Sequence, residues 1–330
     1  MIDINKAIEQ LDWSKEPKGL YEPIGYTLAA GGKRIRPRLA LLGAMAVGER
    51  CAVGSLTANA VGSWSADADG GLIEAVLPAA MALEVFHNFT LLHDDVMDKA
   101  EVRRGRPTVH VKWNENTAIL SGDQMMIEAY KLLAKVPSDK LPRVLELFNK
   151  MATEICEGQQ YDVDFETRED VTIAEYMEMI RLKTSVLLAT ALQIGAYIAG
   201  GTEAEQQALY NYGINLGLAF QIQDDYLDCF GDPATFGKAI GGDIRERKKT
   251  WLYLTAEAVG SETATLLDRY ADGNVEEVLR MYEERGMKRA AEEEIARLTK
   301  KAVDCLSGIP ESEAKNELKA LAEKLAARNK

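Results

Sequence analysis

The run His93-Asp94-Asp95-Val96-Met97-Asp98 crowds carboxylates into one short stretch. On a helix, Asp94 and Asp98 lie one turn apart on the same face. Bare, they would repel. A hard divalent cation such as Mg²⁺ removes that conflict, because it takes carboxylate oxygens and completes its shell with water and substrate phosphates. One D-D-x-x-D run is equally compatible with a solvated acidic face. The chain carries a second, Asp224-Asp225-Tyr226-Leu227-Asp228, directly after the apolar run Leu216 to Ile222. Acidic groups at the end of a buried helix need counter-ions or a functional cavity, so both runs are read as metal-binding.

Basic clusters accompany them: Lys33-Arg34-Ile35-Arg36-Pro37-Arg38 after Gly31-Gly32, Arg103-Arg104-Gly105-Arg106, and Arg245-Glu246-Arg247-Lys248-Lys249. Any one of these could simply pair with surface acids. The second and third, however, each closely follow an aspartate cluster. That order suits metal-bridged phosphate oxygens gripped in addition by guanidinium and ammonium groups. The chain has 52 acidic and 39 basic residues, for a net charge of −13. That balance argues against neutralising a nucleic-acid backbone but leaves room for a small metal-bound anion.

The elements that must position these groups read as helices. Apolar positions recur at helical spacing, and strict alternation is hard to find. Leu141, Val144, Leu145 and Phe148 mark an amphipathic outer helix, as do Leu318, Leu321, Ala322 and Leu325. Leu187 to Ile198 and Tyr212 to Ile222 are apolar on more than one face, as expected of inner helices. The breaks at 136–139, 200–202, 231–233, 271–274 and 308–310 are too short for interdomain linkers. The glycine-rich segment 48–72 predicts a flexible loop. A length of 330 residues allows two domains, but without a linker or an internal repeat the expectation is one all-α domain over 1–330. The uncharged stretch from Thr184 to Thr202 is expected to be a buried core helix rather than a transmembrane segment. Cys51, Cys156, Cys229 and Cys305 are far apart with no C-x-x-C pair, and no signal-peptide pattern opens the chain, which together predict a cytoplasmic protein.

With these segments in order, the chain resembles the trans-isoprenyl diphosphate synthase family. The matching residues run from Gly31-Gly32-Lys33-Arg34-Ile35-Arg36-Pro37 through His87-Asn88-Phe89-Thr90-Leu91-Leu92-His93-Asp94-Asp95-Val96-Met97-Asp98, Arg103-Arg104-Gly105, Gly122-Asp123 and Lys183-Thr184. They continue through Phe220-Gln221-Ile222-Gln223-Asp224-Asp225-Tyr226-Leu227-Asp228, Gly237-Lys238 and Gly241-Gly242-Asp243-Ile244 to Lys248. The resemblance implies a helical bundle around a deep central cavity, usually as a homodimer, that condenses isopentenyl diphosphate with an allylic diphosphate. It gives Asp94 and Asp98 the role of magnesium ligands supported by Asp95. It makes Asp224 the ligand of a third magnesium, with Asp225 and Asp228 near it. Arg103, Lys183, Lys238 and Lys248 resemble the allylic diphosphate contacts, with Thr184 and Gln221 beside the reactive end. Lys33, Arg36, His87 and Arg104 resemble the isopentenyl diphosphate site.

The reaction so implied is ionisation, condensation and elimination, driven by stabilising the departing diphosphate. The diphosphate itself would accept the final proton, so no nucleophilic dyad is required. A terpene cyclase would instead show a second metal motif built from Asn, Ser or Thr and Glu. A catalytically silent partner subunit would have lost aspartates that are complete here. A generic acidic cation-binding protein would lack the paired basic clusters. Phe89, five residues before Asp94, resembles the floor that limits chain growth, with small Thr90 beside it. That pair points to a C20 product, geranylgeranyl diphosphate, with C15 as the alternative.

Overall fold

The computed structural model describes residues 2–48, 63–64, 70–231, 240–259 and 274–326. The fold is all-α, with two minimal strand pairs among the described residues. The chain divides into two compact units. One comprises Met1–Phe148, Ala191–Gln207 and Ile309–Lys315, and the other Asn149–Thr190, Ala208–Gly308 and Asn316–Lys330.

The first unit is built around α3 (Gly70–Met97), which packs against α2 (Ile35–Gly48) and α4 (Glu115–Leu133), while α1 (Lys18–Leu28) lies against α4. From Ala79 to Asn88 every residue of α3 is buried, because that stretch is apolar around most of its circumference. The helix is long and apolar enough to cross a membrane over Gly71–Met97, yet 67% of its most apolar window is buried inside the protein. Helix α4 starts at Asn114, whose side chain accepts from the Thr117 N–H at 2.9 Å, as an N-cap should.

The second unit takes most of α5 (Leu141–Thr167), then α6 (Ile173–Ile180), a π-helical turn (Arg181–Ser185) and the start of α7 (Val186–Ile198). Most of α8 (Glu203–Phe230) follows, then α9 (Trp251–Val259), α10 (Val275–Glu284), α11 (Met287–Cys305) and the bulk of α12 (Glu313–Ala326). Its core gathers Tyr176, Ile180, Ile222, Tyr226, Leu252, Tyr253, Val278, Tyr282, Ile295 and Leu298. Helix α6 begins with a reciprocal Thr172–Glu175 capping box, and Thr202 with Glu205 repeats the device at the start of α8.

The expected outer and inner helices are where periodicity placed them. Val144, Leu147, Phe148, Met151 and Ile155 are buried on α5 while Glu146 and Lys150 face water, and Leu318, Leu321 and Ala322 are buried on α12. The uncharged stretch supplies α7, whose Val186, Ala189, Ala191, Leu192 and Ile194 are fully buried. Helices α2 and α7 touch backbone to backbone, since a Cβ on Gly43 would collide with the Leu192 carbonyl and one on Gly195 with the Ala40 carbonyl.

The expected loop over 48–72 is corrected at its edges. Gly48 ends α2, Gly70 already begins α3, and Ser63–Trp64 pairs antiparallel with Ile2–Asp3. Residues 49–62 and 65–69 lie outside the described residues. Gly48 serves close packing rather than flexibility, because a Cβ there would stand 2.8 Å from Leu72 Cδ2.

Candidate active site

The first aspartate cluster closes α3. The Asp98 N–H, one residue past the end of α3, still donates to the Asp94 carbonyl at 2.8 Å, so the two residues lie one turn apart. Asp94 is half-buried and Asp98 exposed, whereas Asp95 is buried and turned aside. Asp95 Oδ1 accepts from Arg103 Nε at 2.6 Å. Burial pushes its carboxyl pKa upward against the pull of Arg103.

Arg103 is delivered by a hairpin, Val102–Arg103 with Arg106–Pro107, in which Arg103 pairs with Arg106. The two-residue turn is Arg104-Gly105, with φ of 53° and 72°, the left-handed pair that a twisted hairpin favours. This turn separates adjacent arginines. Arg103 goes to Asp95, while Arg104 Nη1 donates to the Gly31 carbonyl in the Gly31-Gly32 loop. Lys33 is exposed and Arg36 half-buried. Burial pulls Arg36 down to about 10, Glu84 opposing the shift and Arg104 adding to it.

His87, two turns before Asp94, is 8% exposed. Burial, then Arg36, Arg104, Arg103 and Arg34, hold its pKa well below 6.5. Below its ordinary value the unfolded chain takes up a proton that folded His87 refuses. Its contribution to stability is therefore complete above pH 6.5 and is lost as pH falls, by up to about 1.4 kcal/mol per pH unit. Thermal melts of the wild type and His87→Gln between about pH 7.5 and about pH 5.5 should show the flatter slope in the variant. Parallel slopes would mean that folded His87 protonates normally.

Phe89 is half-buried, its ring 5.4 Å from Phe86 and 4.8 Å from His93 between centroids. Phe86 is braced in turn by Phe148 at 5.1 Å. Thr90 donates its hydroxyl to the His87 carbonyl at 2.8 Å. His93 Nε2 lies 3.1 Å from the Ile119 carbonyl. Gly122 lets α4 come this close, since a Cβ there would strike the His93 ring.

The second cluster closes α8. Asp224 and Asp228 are half-buried, while Asp225 is buried. Asp225 Oδ2 accepts from the Tyr176 hydroxyl at 2.5 Å and from the Trp251 N–H at 3.0 Å, joining α6, α8 and α9. Burial, reinforced by Asp243, pushes its pKa up to about 8. Asp228 Oδ2 accepts from the Asp243 N–H at 3.0 Å, and its carbonyl from the Gly241 N–H at 2.7 Å. These bonds draw the Gly241–Thr250 segment onto the end of α8. Within that segment Lys249 Nζ donates to the Phe165 carbonyl at 2.7 Å, whereas Lys248 is exposed with Nζ 3.3 Å from Glu246. Of the two lysines, Lys248 is the one presented outward. Lys238 lies outside the described residues.

Lys183 and Thr184 sit in the π-helical turn, a distortion common at functional positions. Lys183 Nζ is 2.6 Å from Asp162 Oδ2, and Thr184 Oγ1 donates to Gln221 Oε1 at 3.2 Å. Thr184 and Gln221, paired from the sequence, are brought together. Asp162, Glu84 and Tyr176 are partners the motifs did not single out. Glu84 alone carried a visible signal, a carboxylate inside the apolar stretch of α3.

Asp94 with Asp98, and Asp224 with Asp228, could hold a cation. Among the described residues no cluster of three or more ligating side chains is preassembled. That fits Mg²⁺, which binds through one or two carboxylates and substrate phosphates rather than in an all-protein cage.

Comparison with known proteins places the chain in a family. The Polyprenyl synthetase family profile matches residues 17–285. The chain is 41% identical to a geranylgeranyl diphosphate synthase of Methanosarcina mazei over 255 residues, covering 77% of this chain and 72% of that one. It is 38% identical to a geranylfarnesyl diphosphate synthase of Natronomonas pharaonis over 329 residues, covering 99% and 95%. Among solved structures, the geranylgeranyl pyrophosphate synthase of Corynebacterium glutamicum, complexed with isoprenyl diphosphate and magnesium, superposes with a TM-score of 0.81. That match is 29% identical and covers 98% of this chain and 97% of that one. Because the family match contains both aspartate helices, the hairpin and the lysine-bearing turns, the chain belongs to the polyprenyl synthetase family of prenyltransferases.

Proposed function

We propose that the enzyme joins isopentenyl diphosphate head-to-tail to allylic diphosphates and releases geranylgeranyl diphosphate. The observation that carries the product length is Phe89. It lies five residues, or roughly 7.5 Å of helix rise, before Asp94, and Phe86 backs it. Incubation with magnesium, labelled isopentenyl diphosphate and each of the C5, C10 and C15 allylic diphosphates should end at C20 after dephosphorylation. Accumulation at C15 would raise the floor, and accumulation at C25 or beyond would place it elsewhere.

In this reading Asp94, Asp98 and Asp224 would hold Mg²⁺, three ions as the family resemblance implies, and that charge would stabilise the leaving diphosphate. Arg103, Lys183, Lys238 and Lys248 bind the allylic diphosphate, Lys183 exchanging its Asp162 partner for phosphate oxygen. The Thr184–Gln221 pair turns neutral dipoles toward developing carbocation charge. Lys33, Arg36, Arg104 and neutral His87 bind isopentenyl diphosphate. The departing diphosphate accepts the proton lost on elimination, so no side chain serves as base.

Residues 1–330 act as one synthase domain, which the family match through both units supports. The enzyme works as a homodimer. Ile119, Met126, Ile127 and Tyr130 on α4 are 36–48% exposed at helical spacing, an apolar stripe suited to a second copy. A cytoplasmic setting accords with four widely spaced cysteines that suggest no dense disulfide framework.

A further inference from the structure

Five cationic or ring-nitrogen side chains, Arg34, Arg36, His87, Arg103 and Arg104, influence one another in the first unit. Besides Asp95, which is bonded to Arg103, the buried acid among them is Glu84, on α3 one turn before His87 and 2% exposed. Glu84 Oε1 accepts from Arg34 Nη1 at 2.7 Å and from Asn88 Nδ2 at 3.2 Å. The same guanidinium donates from Nη2 to the Leu28 carbonyl at 2.6 Å and from Nε to Asn5 Oδ1 at 3.2 Å. Arg34 is therefore engaged on every side, buried at 8% exposure.

Its backbone is strained as well. Arg34 has φ of 47°, following Gly31 at 73° and Gly32 at 139°. A non-glycine residue in the left-handed region is sterically disfavoured and persists only where surroundings fix it. What fixes it here is the fork on Glu84 and Leu28. The consequence is directional, because the residues flanking Arg34 are Lys33, which is exposed, and Ile35, which opens α2 one residue before Arg36.

Glu84 also has capacity left. Its Oε2, Arg36 Nε and Asn88 Oδ1 are buried without a hydrogen-bond partner. Glu84 supports the positive charge of Arg36 and Arg104, and burial opposes it. A carboxylate with one oxygen unpartnered, acting on an Arg36 whose Nε is likewise unpartnered, is a counter-charge for that guanidinium in the absence of an anion.

We propose that Glu84 is a positioning residue of the isopentenyl diphosphate site: through Arg34 it locks the Gly31–Arg36 loop in the conformation that presents Lys33 and Arg36 to the diphosphate. This rests on the reading of Lys33, Arg36, His87 and Arg104 as that site. Positioning and simple charge balance predict opposite results. If Glu84 only diluted the positive field, removing its charge would tighten diphosphate binding. If it positions the loop, the same change strands Arg34 without its buried partner and weakens binding.

The test compares wild type with Glu84→Gln, Arg34→Lys and the double variant Arg34→Gln/Glu84→Gln. Circular dichroism confirms helicity, and Arg34→Lys serves where Glu84→Gln does not fold. The apparent KM for isopentenyl diphosphate should rise about tenfold or more in each single variant, with the allylic KM within about threefold of wild type. The double variant, which lacks the same link, should bind isopentenyl diphosphate about as weakly as Glu84→Gln, with little further loss. A lower KM for isopentenyl diphosphate, an unchanged one, or equal rises for both substrates would overturn the proposal. A second measurement titrates inorganic pyrophosphate without divalent cation and should show the same order of affinities. It judges Glu84 even if the wild type condenses nothing, an outcome that would overturn the functional reading instead; equal pyrophosphate affinities would overturn the role of Glu84.

Discussion

Asp94→Ala and Asp224→Ala should each lower kcat by roughly a hundred- to a thousandfold while leaving the far-ultraviolet circular dichroism unchanged. Removing one preorganised electrostatic contact to a developing charge is commonly worth that much. The folded state has little to lose at either position. The hydrogen bond between residues 94 and 98 is backbone to backbone, and Asp94 and Asp224 are only half-buried. Alanine also favours the helix more than aspartate does and relieves carboxylate repulsion at Asp94–Asp98, so Tm should hold or rise. Asp225→Ala should behave differently, because it breaks bonds to α6 and α9 and would lower Tm. Near wild-type turnover in a helical Asp94→Ala or Asp224→Ala protein would remove that aspartate from the metal assignment.

Phe89→Ala should lengthen the product by one or more isoprene units. Truncation withdraws the ring that faces Phe86 and His93, and nothing on α3 replaces it, because the next residue is Thr90, tied to the His87 carbonyl. Full removal of a buried Phe costs about 3–5 kcal/mol, and a half-buried one correspondingly less, so the variant should stay folded for assay. Resolving dephosphorylated products by chain length reads the result directly. An unaltered distribution in an active variant would put the floor on another helix.

What could be read without coordinates was whatever repeats locally. Helical spacing placed α5, α7, α8 and α12, and among the described residues the breaks at 136–139, 200–202 and 308–310 fell between α-helices, because those signals depend on neighbours three or four residues away. The aspartate runs were legible for the same reason. What stayed hidden was pairing across the fold. Nothing near Lys183 announces Asp162, and nothing near Asp225 announces Tyr176. The hairpin at Val102–Pro107 escaped because its strands are two residues each, too short for alternation to register. Its turn chemistry, Arg104-Gly105, was in view but read only as charge. The glycines of 48–72 misled at the edge because glycine marks tight packing as readily as freedom, and at Gly48 the former applies.

Asp225 illustrates how a motif hides division of labour. Three aspartates in one run suggest one shared task, yet helical geometry turns the middle residue about 100° from its predecessor. In α3 that residue is Asp95, bonded to Arg103, and in α8 it is Asp225, bonded to Tyr176 and Trp251. Both middle residues anchor neighbouring elements rather than stand beside their outer partners.

The π-helical turn over Arg181–Ser185 makes chain length itself a constraint. Such a turn amounts to one residue inserted into an α-helix, and deleting one would restore regular winding. Regularity would be ruinous here. Everything beyond the deletion would swing by about 100° relative to everything before it. Either Tyr176 would leave Asp225 or the buried side chains from Val186 onward would face the wrong way. Substitutions at 181–185 can be absorbed one side chain at a time, but a single-codon deletion cannot, so this stretch should tolerate changes of spelling far better than changes of count.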